Sequence, residues 1–241
     1  MNDLAIGSIV GYGYDWTLVA LSFAISVLGS YVALTLAADR GDTRDKVVGP
    51  GVALGGCAIW SMHFIGMAAY ETPLYISYAA LPTVVSLVCA VLITGLGFRI
   101  AARGPKHLPN LLLGGAVIGM GVVVMHYLGM AGMTLRAVME WNIQIVLLSV
   151  AIAVVAATVA LWLAFNVKTQ AQRFVAAFVM GVAVCAMHYT GMAAATLICT
   201  TRVQHSAYSL NGTYMAYLVF FVAAMALGFG RVQDKFAAAL R

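Results

Sequence analysis

Three copies of one heptapeptide constrain this chain more than any other feature: Met62-His63-Phe64-Ile65-Gly66-Met67-Ala68, Met125-His126-Tyr127-Leu128-Gly129-Met130-Ala131 and Met187-His188-Tyr189-Thr190-Gly191-Met192-Ala193. The histidines stand 63 and 62 residues apart. A unit of that length accommodates two membrane-spanning helices with their connections, so the sequence describes a threefold repeat of helical pairs.

Every copy lies inside an apolar run, and the chain as a whole is 63% hydrophobic and only 9% charged. Such a composition supplies too little polar surface to cover a fold in water and implies an all-α integral membrane protein in contact with the lipid bilayer. At roughly 20 residues per crossing, the runs predict seven spans, near Trp16–Ala38, Pro50–Tyr70, Ala80–Ala102, Leu111–Met133, Ile143–Phe165, Phe174–Leu197 and Thr213–Phe229. These form three two-helix pseudo-repeats and a seventh helix, within a membrane domain of residues 16–229 flanked by segments 1–15 and 230–241. Residues before Trp16 contain no Lys or Arg, so the first run reads as a retained span rather than a cleaved signal.

Loop charges give the expected orientation. Arg40, Arg44, Lys46, Arg99, Arg103, Lys106, Lys168, Arg173, Arg231, Lys235 and Arg241 fall on one side and only Arg136 and Arg202 on the other. The positive-inside rule then places the N-terminus outside and the C-terminus in the cytoplasm, as in a multi-pass membrane protein. The net charge of +5 is divided among short loops and makes no basic face for nucleic acid.

About thirteen residues of helix carry His63 roughly 20 Å from the cytoplasmic boundary, and His126 and His188 reach similar depths. The three imidazoles are therefore candidates for one shared site. Residues three, four and seven positions away share a helical stripe. On that stripe each histidine has a glycine at +3 (Gly66, Gly129, Gly191), a methionine at +4 (Met67, Met130, Met192) and a glycine at −7 (Gly56, Gly119, Gly181). Glycines at those positions predict close helix packing. Met62, Met125 and Met187 lie about 100° away around the helix and face a neighbouring helix or a second site.

Glycine on an apolar stripe ordinarily means packing alone. Three repeats of an ionisable residue, each costing a few kcal/mol in lipid, favour a metal site instead. Thioether beside imidazole suits copper, Cu(I) above all. Cys57, Cys89, Cys185 and Cys199 have no metal-motif spacing and read as small buried residues, with Cys185 on a face next to His188.

The third copy, Met187-His188-Tyr189-Thr190, and the arrangement around it resemble the MHYT domain, a bacterial seven-span membrane sensor module, over about Trp16–Phe229. The resemblance implies one or two copper ions held by His63, His126 and His188, with Met62, Met67, Met125, Met130, Met187 and Met192 as partners. It further implies sensing of a diatomic gas, oxygen, carbon monoxide or nitric oxide, and output through a cytoplasmic signalling domain or partner, often of cyclic di-GMP signalling. About a dozen residues follow the last span, so that output is expected from elsewhere. Phe64, Ile65 and Leu128 depart from the motif, which makes the first Tyr and the Thr dispensable as ligands. Tyr127 and Tyr189 either support a histidine or a bound molecule by hydrogen bonds or pack as aromatics.

Other classes fit less well. A retinal protein needs a lysine in the last span, and Thr213–Phe229 has none. An intramembrane metal hydrolase needs a carboxylate near the histidines, and only Glu71 and Glu140 approach. Copper capture or assembly is the closest rival, and haem held by two histidines is a further alternative. His107 belongs to the basic boundary and His205 to a loop. Tyr12, Tyr14, Trp16, Tyr75, Tyr78, Trp141 and Tyr208 suit an interfacial belt or a lid over the site.

Overall fold

In a computed structural model the described residues are 5–38, 45–104, 107–201 and 208–239, with backbone alone for 45–47, 213 and 229–239. Arg40, Arg44, Lys106, Arg202, His205 and Arg241 lie outside the described residues. The chain is mostly helical. Helix α1 is Trp16–Ala38, and α2 runs unbroken through Asp45–Gly51, a π-helical Val52–Ser61 and Met62–Ala68. Then follow α3 (Ala80–Ala102), α4 (Leu108–Ala131), α5 (Ile143–Asn166), α6 (Gln170–Ala193) and α7 (Gly212–Ala239). Six of them, α1 to α6, are long and apolar enough to cross a membrane, while the apolar part of α7 is the shorter Tyr214–Gly228.

Each of the six packs on its sequence neighbours, and α6 closes against α1, so that they form a ring. Within it α2, α4 and α6 are the inner members, with 83, 56 and 39% of their apolar windows buried against 33, 33 and 22% for α1, α3 and α5. Small residues permit this. A Cβ on Gly119 of α4 would lie 2.6 Å from Val154 Cα of α5, and one on Gly181 of α6 would lie 2.6 Å from Val27 Cγ2 of α1. Helix α7 stands outside the ring against α2 and α1 and accounts for the deeper burial of α2.

The expected spans around the histidines run past their true ends. Gly132 and Ala194 close α4 and α6, because the chain beyond them turns into short strands whose backbone groups pair with one another rather than with the helix. These strands are β1 (Gly13–Tyr14), β2 (Tyr70–Glu71), β3 (Ser77–Ala79), β4 (Met133–Thr134), β5 (Ala137–Trp141), β6 (Ala195–Cys199) and β7 (Ser209–Leu210). The pairs β1–β2, β3–β4 and β5–β6 are antiparallel, in the last from Ala137↔Cys199 to Trp141↔Ala195, and β7 joins the outer edge of β3. One repeat is thus strand, outer helix, inner helix, strand, with its two strands closing on each other at the histidine end. Local caps fix the starts: Asp15 accepts from Thr17 N at 2.8 Å, Asn142 from Gln144 N at 3.1 Å, and Thr169 with Gln172 forms a capping box.

Pro50 does not open α2 but lies inside it, just before the π-helical stretch. Proline removes a backbone donor, and a π segment rotates the helix by about one extra residue. That rotation shifts which glycine faces α3. Gly56 meets Val91 Cγ2 at an ordinary 3.6 Å, whereas a Cβ on Gly55 would collide with the carbonyl of Ala90.

Candidate metal centre

His63, His126 and His188 converge near the histidine end of the ring axis, all fully or almost fully buried. Each stands five residues before the end of its helix, or about 7–8 Å at 1.5 Å per residue. The side-chain nitrogens able to bind an ion lie within 4.8 Å of one another. His63 Nδ1 is 3.0 Å from His188 Nδ1 and 3.2 Å from His126 Nδ1, and the rings meet edge to face with centroids 4.9 to 5.2 Å apart.

The motif glycines at +3 set this geometry. A Cβ on Gly66 would strike Nε2 of His188, one on Gly129 would strike Nε2 of His63, and one on Gly191 would strike Nε2 of His126. Each repeat therefore supplies a socket for the preceding repeat's ring, in a closed cycle. These three glycines seat imidazoles rather than helix backbones, unlike Gly119 and Gly181. Their spacing in the sequence announces a shared face, but not that a ring from another repeat fills it.

The donor set suits a cation. A neutral imidazole carries one N–H and one lone pair. All three Nε2 atoms are buried without a hydrogen-bond partner. With the rings held so that Nδ1 atoms face one another, either an Nδ1–H donates to a neighbour's lone pair or all three lone pairs converge on a cation. Two nitrogens bound ~2.0–2.1 Å from one ion at tetrahedral or trigonal angles sit ~3.3–3.6 Å apart, close to the separations found. No carboxylate belongs to the group among the described residues, and Glu71 and Glu140 are exposed on β2 and β5. The intramembrane hydrolase thus lacks its base at this centre.

Met62, Met67, Met125, Met130, Met187 and Met192 are all buried, at 1 to 3% exposure. They thicken the apolar shell on both sides of the histidine tier. The aromatic residues after the histidines pack edge-on against them: Phe64 on His63 at 4.7 Å, Tyr127 on His126 at 4.9 Å and Tyr189 on His188 at 4.7 Å. Both tyrosine hydroxyls point away from the centre. Tyr127 Oη bonds Ser149 Oγ on α5 at 2.8 Å, and Tyr189 Oη bonds Ser22 Oγ on α1 at 3.0 Å. The inner helix of repeat one faces an equivalent serine, Ser86 of α3, but Trp60 Nε1 donates to it at 3.0 Å and Phe64 has no hydroxyl to do so. Cys185 adjoins the Ser22–Tyr189 pair.

A second aromatic tier closes the end. Tyr14 meets Tyr189, Tyr78 meets Phe64 and Trp141 meets Tyr127, with centroids 5.3 to 5.7 Å apart. Burial, then the nearby Tyr12, pushes the Tyr70 phenol up to about 12, and burial raises Tyr14 and Tyr78 as well, so these hydroxyls stay neutral. Trp16, Tyr75 and Tyr208 are instead well exposed, as a belt requires. The aromatic residues expected to form a belt or a lid thus divide into those stacked over the histidine tier and those on the surface. His107 only precedes α4, exposed at the far end of the ring.

Comparison with known proteins agrees with the repeat. The family described as MHYT, bacterial signalling protein N terminal repeat, matches residues 4–50, 56–114, 119–177 and 181–240. Three similar proteins are a bifunctional diguanylate cyclase/cyclic di-GMP phosphodiesterase, MucR, and a cyclic di-GMP phosphodiesterase, NbdA, both of Pseudomonas aeruginosa, and the signalling protein YkoW of Bacillus subtilis. Their identities are 37, 33 and 31%, each over 76% of this chain and over 28, 25 and 24% of the relative. The chain spans about a quarter of the length of these curated relatives. No solved structure matches it significantly.

Proposed function

Because this chain belongs to the MHYT family of bacterial signalling repeats, we propose that it is a membrane-embedded sensor whose three histidines hold one copper ion for detection of a diatomic gas or of redox state. The histidine end faces away from the cytoplasm, α7 makes the seventh crossing, and residues 230–241 lead inward, as the loop charges favour. Output belongs to a cytoplasmic domain or partner. MucR and NbdA carry cyclase or phosphodiesterase activity in their names, and this chain matches 28 and 25% of their lengths.

The observation that carries this reading is the convergence of three buried imidazoles through their Nδ1 atoms, with no acidic group among them. A neutral donor set in an apolar shell favours a singly charged ion, since it leaves the smallest net charge in low dielectric. Methionine sulfur from the same helices supplies a weak fourth donor of the kind Cu(I) accepts. When bound, copper supplies a soft, redox-active centre with affinity for small uncharged gases.

The protein's own part is mechanical. The glycine sockets hold the rings in one orientation, and the aromatic tiers keep water out. Any shift in one imidazole presses on the glycine of the next inner helix, so a change at the centre favours one packing of α2, α4 and α6 over another. Differential affinity for two packings is what a sensor needs. Helix α7, seated on α2, carries the change inward.

Elemental analysis of protein purified without chelator from copper-supplemented cells tests the reading, beside a His126→Ala variant. Near-stoichiometric copper in the parent, its loss in the variant and a carbonyl stretch under carbon monoxide are expected. Copper absent from the parent, or unchanged in the variant, contradicts it.

A further inference from the structure

One helical turn below the histidines, Ile59, Val122 and Val184 occupy equivalent positions of the three repeats, each four residues before its histidine. They line an interior cavity of about 30 Å³ together with Ile118, Met180 and Met187, and its side chains are apolar throughout. Met187 immediately precedes His188, so the cavity reaches the level of the centre.

Four lining residues, Ala156 and Ala160 of α5 and Met180 and Ala183 of α6, also line a groove of about 450 Å³. That groove lies on the outer face of the ring between α5 and α6, where exposed Val155, Val159 and Val179 flank it. Three alanines and one flexible methionine thus border both spaces. The route therefore opens toward lipid, not toward either water-facing end.

Volume and lining together select the occupant. A water needs roughly 10–15 Å³ and two to four polar partners. This chamber has the room and none of the partners, so it stays dry, and dry apolar cavities take up xenon and similar molecules. We propose that the chamber bounded by Ile59, Val122 and Val184 is a binding site for an uncharged apolar molecule of one or two heavy atoms, entered from the bilayer between α5 and α6. Its service as an antechamber to the histidines rests on the sensor reading, whereas its occupancy does not.

Xenon tests occupancy without any metal, using the whole chain in crystals and in nanodiscs. In xenon-pressurised crystals an anomalous peak is expected between Ile59, Val122 and Val184, and Val184→Phe is expected to abolish it. Xenon absent from the chamber of the parent, or retained there in Val184→Phe, overturns the site. Ala156→Leu, placed at the partition rather than in the chamber wall opposite, keeps the test alive if Val184→Phe fails to fold. By hyperpolarised xenon NMR it is expected to slow exchange about tenfold, ~1.4 kcal/mol of barrier, and an unchanged rate overturns the lateral route. A chamber that passes both tests in a protein that binds no copper would remove the sensor reading alone.

Discussion

The first inner helix differs from the second and third in its helical geometry, its cover and the residue after its histidine, while it keeps the rest of the Met-His…Gly-Met-Ala frame. Helix α2 contains a π segment and an internal proline, is covered by α7, and has Phe64 where α4 and α6 have tyrosine. Yet His63 and Gly66 enter the same cycle of ring and socket as their counterparts. The peripheral bond is looser in its requirement: Ser22 and Ser149 take a tyrosine, while Ser86 takes Trp60 from a different turn. The histidine–glycine interlock is thus the part of the repeat that geometry does not allow to vary, and the serine contact needs only some donor.

The largest effect should come from Gly191→Ala, which removes no ligand but forces the His126 ring out of its socket. Copper content is expected to fall as far as in His126→Ala, by about tenfold or more, with ~1–3 kcal/mol of stability lost to overpacking. Retention of full copper would break the comparison at its centre. Next is the pair Gly55→Ala and Gly56→Ala. Denaturation should show a loss of ~1–3 kcal/mol for the first and under ~0.5 kcal/mol for the second, and equal losses would contradict the rotated register of α2.

Phe64→Tyr sharpens the contrast from the other side. Ser86 already accepts from Trp60 and donates to the Thr83 carbonyl, so the added, buried hydroxyl has to compete with the indole for the serine oxygen. About 1–3 kcal/mol of destabilisation is expected, although the substitution restores the motif of the other repeats. Smallest is Tyr189→Phe, which forfeits the bond to Ser22 at ~0.5–1.5 kcal/mol and should leave copper unchanged. Copper loss in that variant would give the hydroxyl a role at the centre that its direction does not suggest.

Much of this architecture is legible in the residues, because hydropathy and the repeat fix the helical pairs and the histidine spacing fixes the common tier. Trp16–Ala38 and Ala80–Ala102 match their helices residue for residue. Other ends are less legible. A run such as Phe174–Leu197 stays apolar into β6, and hydropathy does not register the point at which backbone groups change partners. The π segment is hidden for the same reason, so the −7 spacing points to Gly56 where the fold uses Gly55. Sockets contributed by another repeat are invisible to spacing within one helix. The tyrosine hydroxyls turn outward because Ser22 and Ser149 wait on the outer helices, a pairing across 167 and 22 residues with no local signature.

X-ray absorption at the copper edge of the purified, loaded protein tests the central claim most directly. The account predicts one ion per chain with three nitrogen scatterers at ~2.0–2.1 Å, falling to two or to an empty site in His126→Ala. A first shell dominated by sulfur, or three nitrogens that persist without His126, would contradict it.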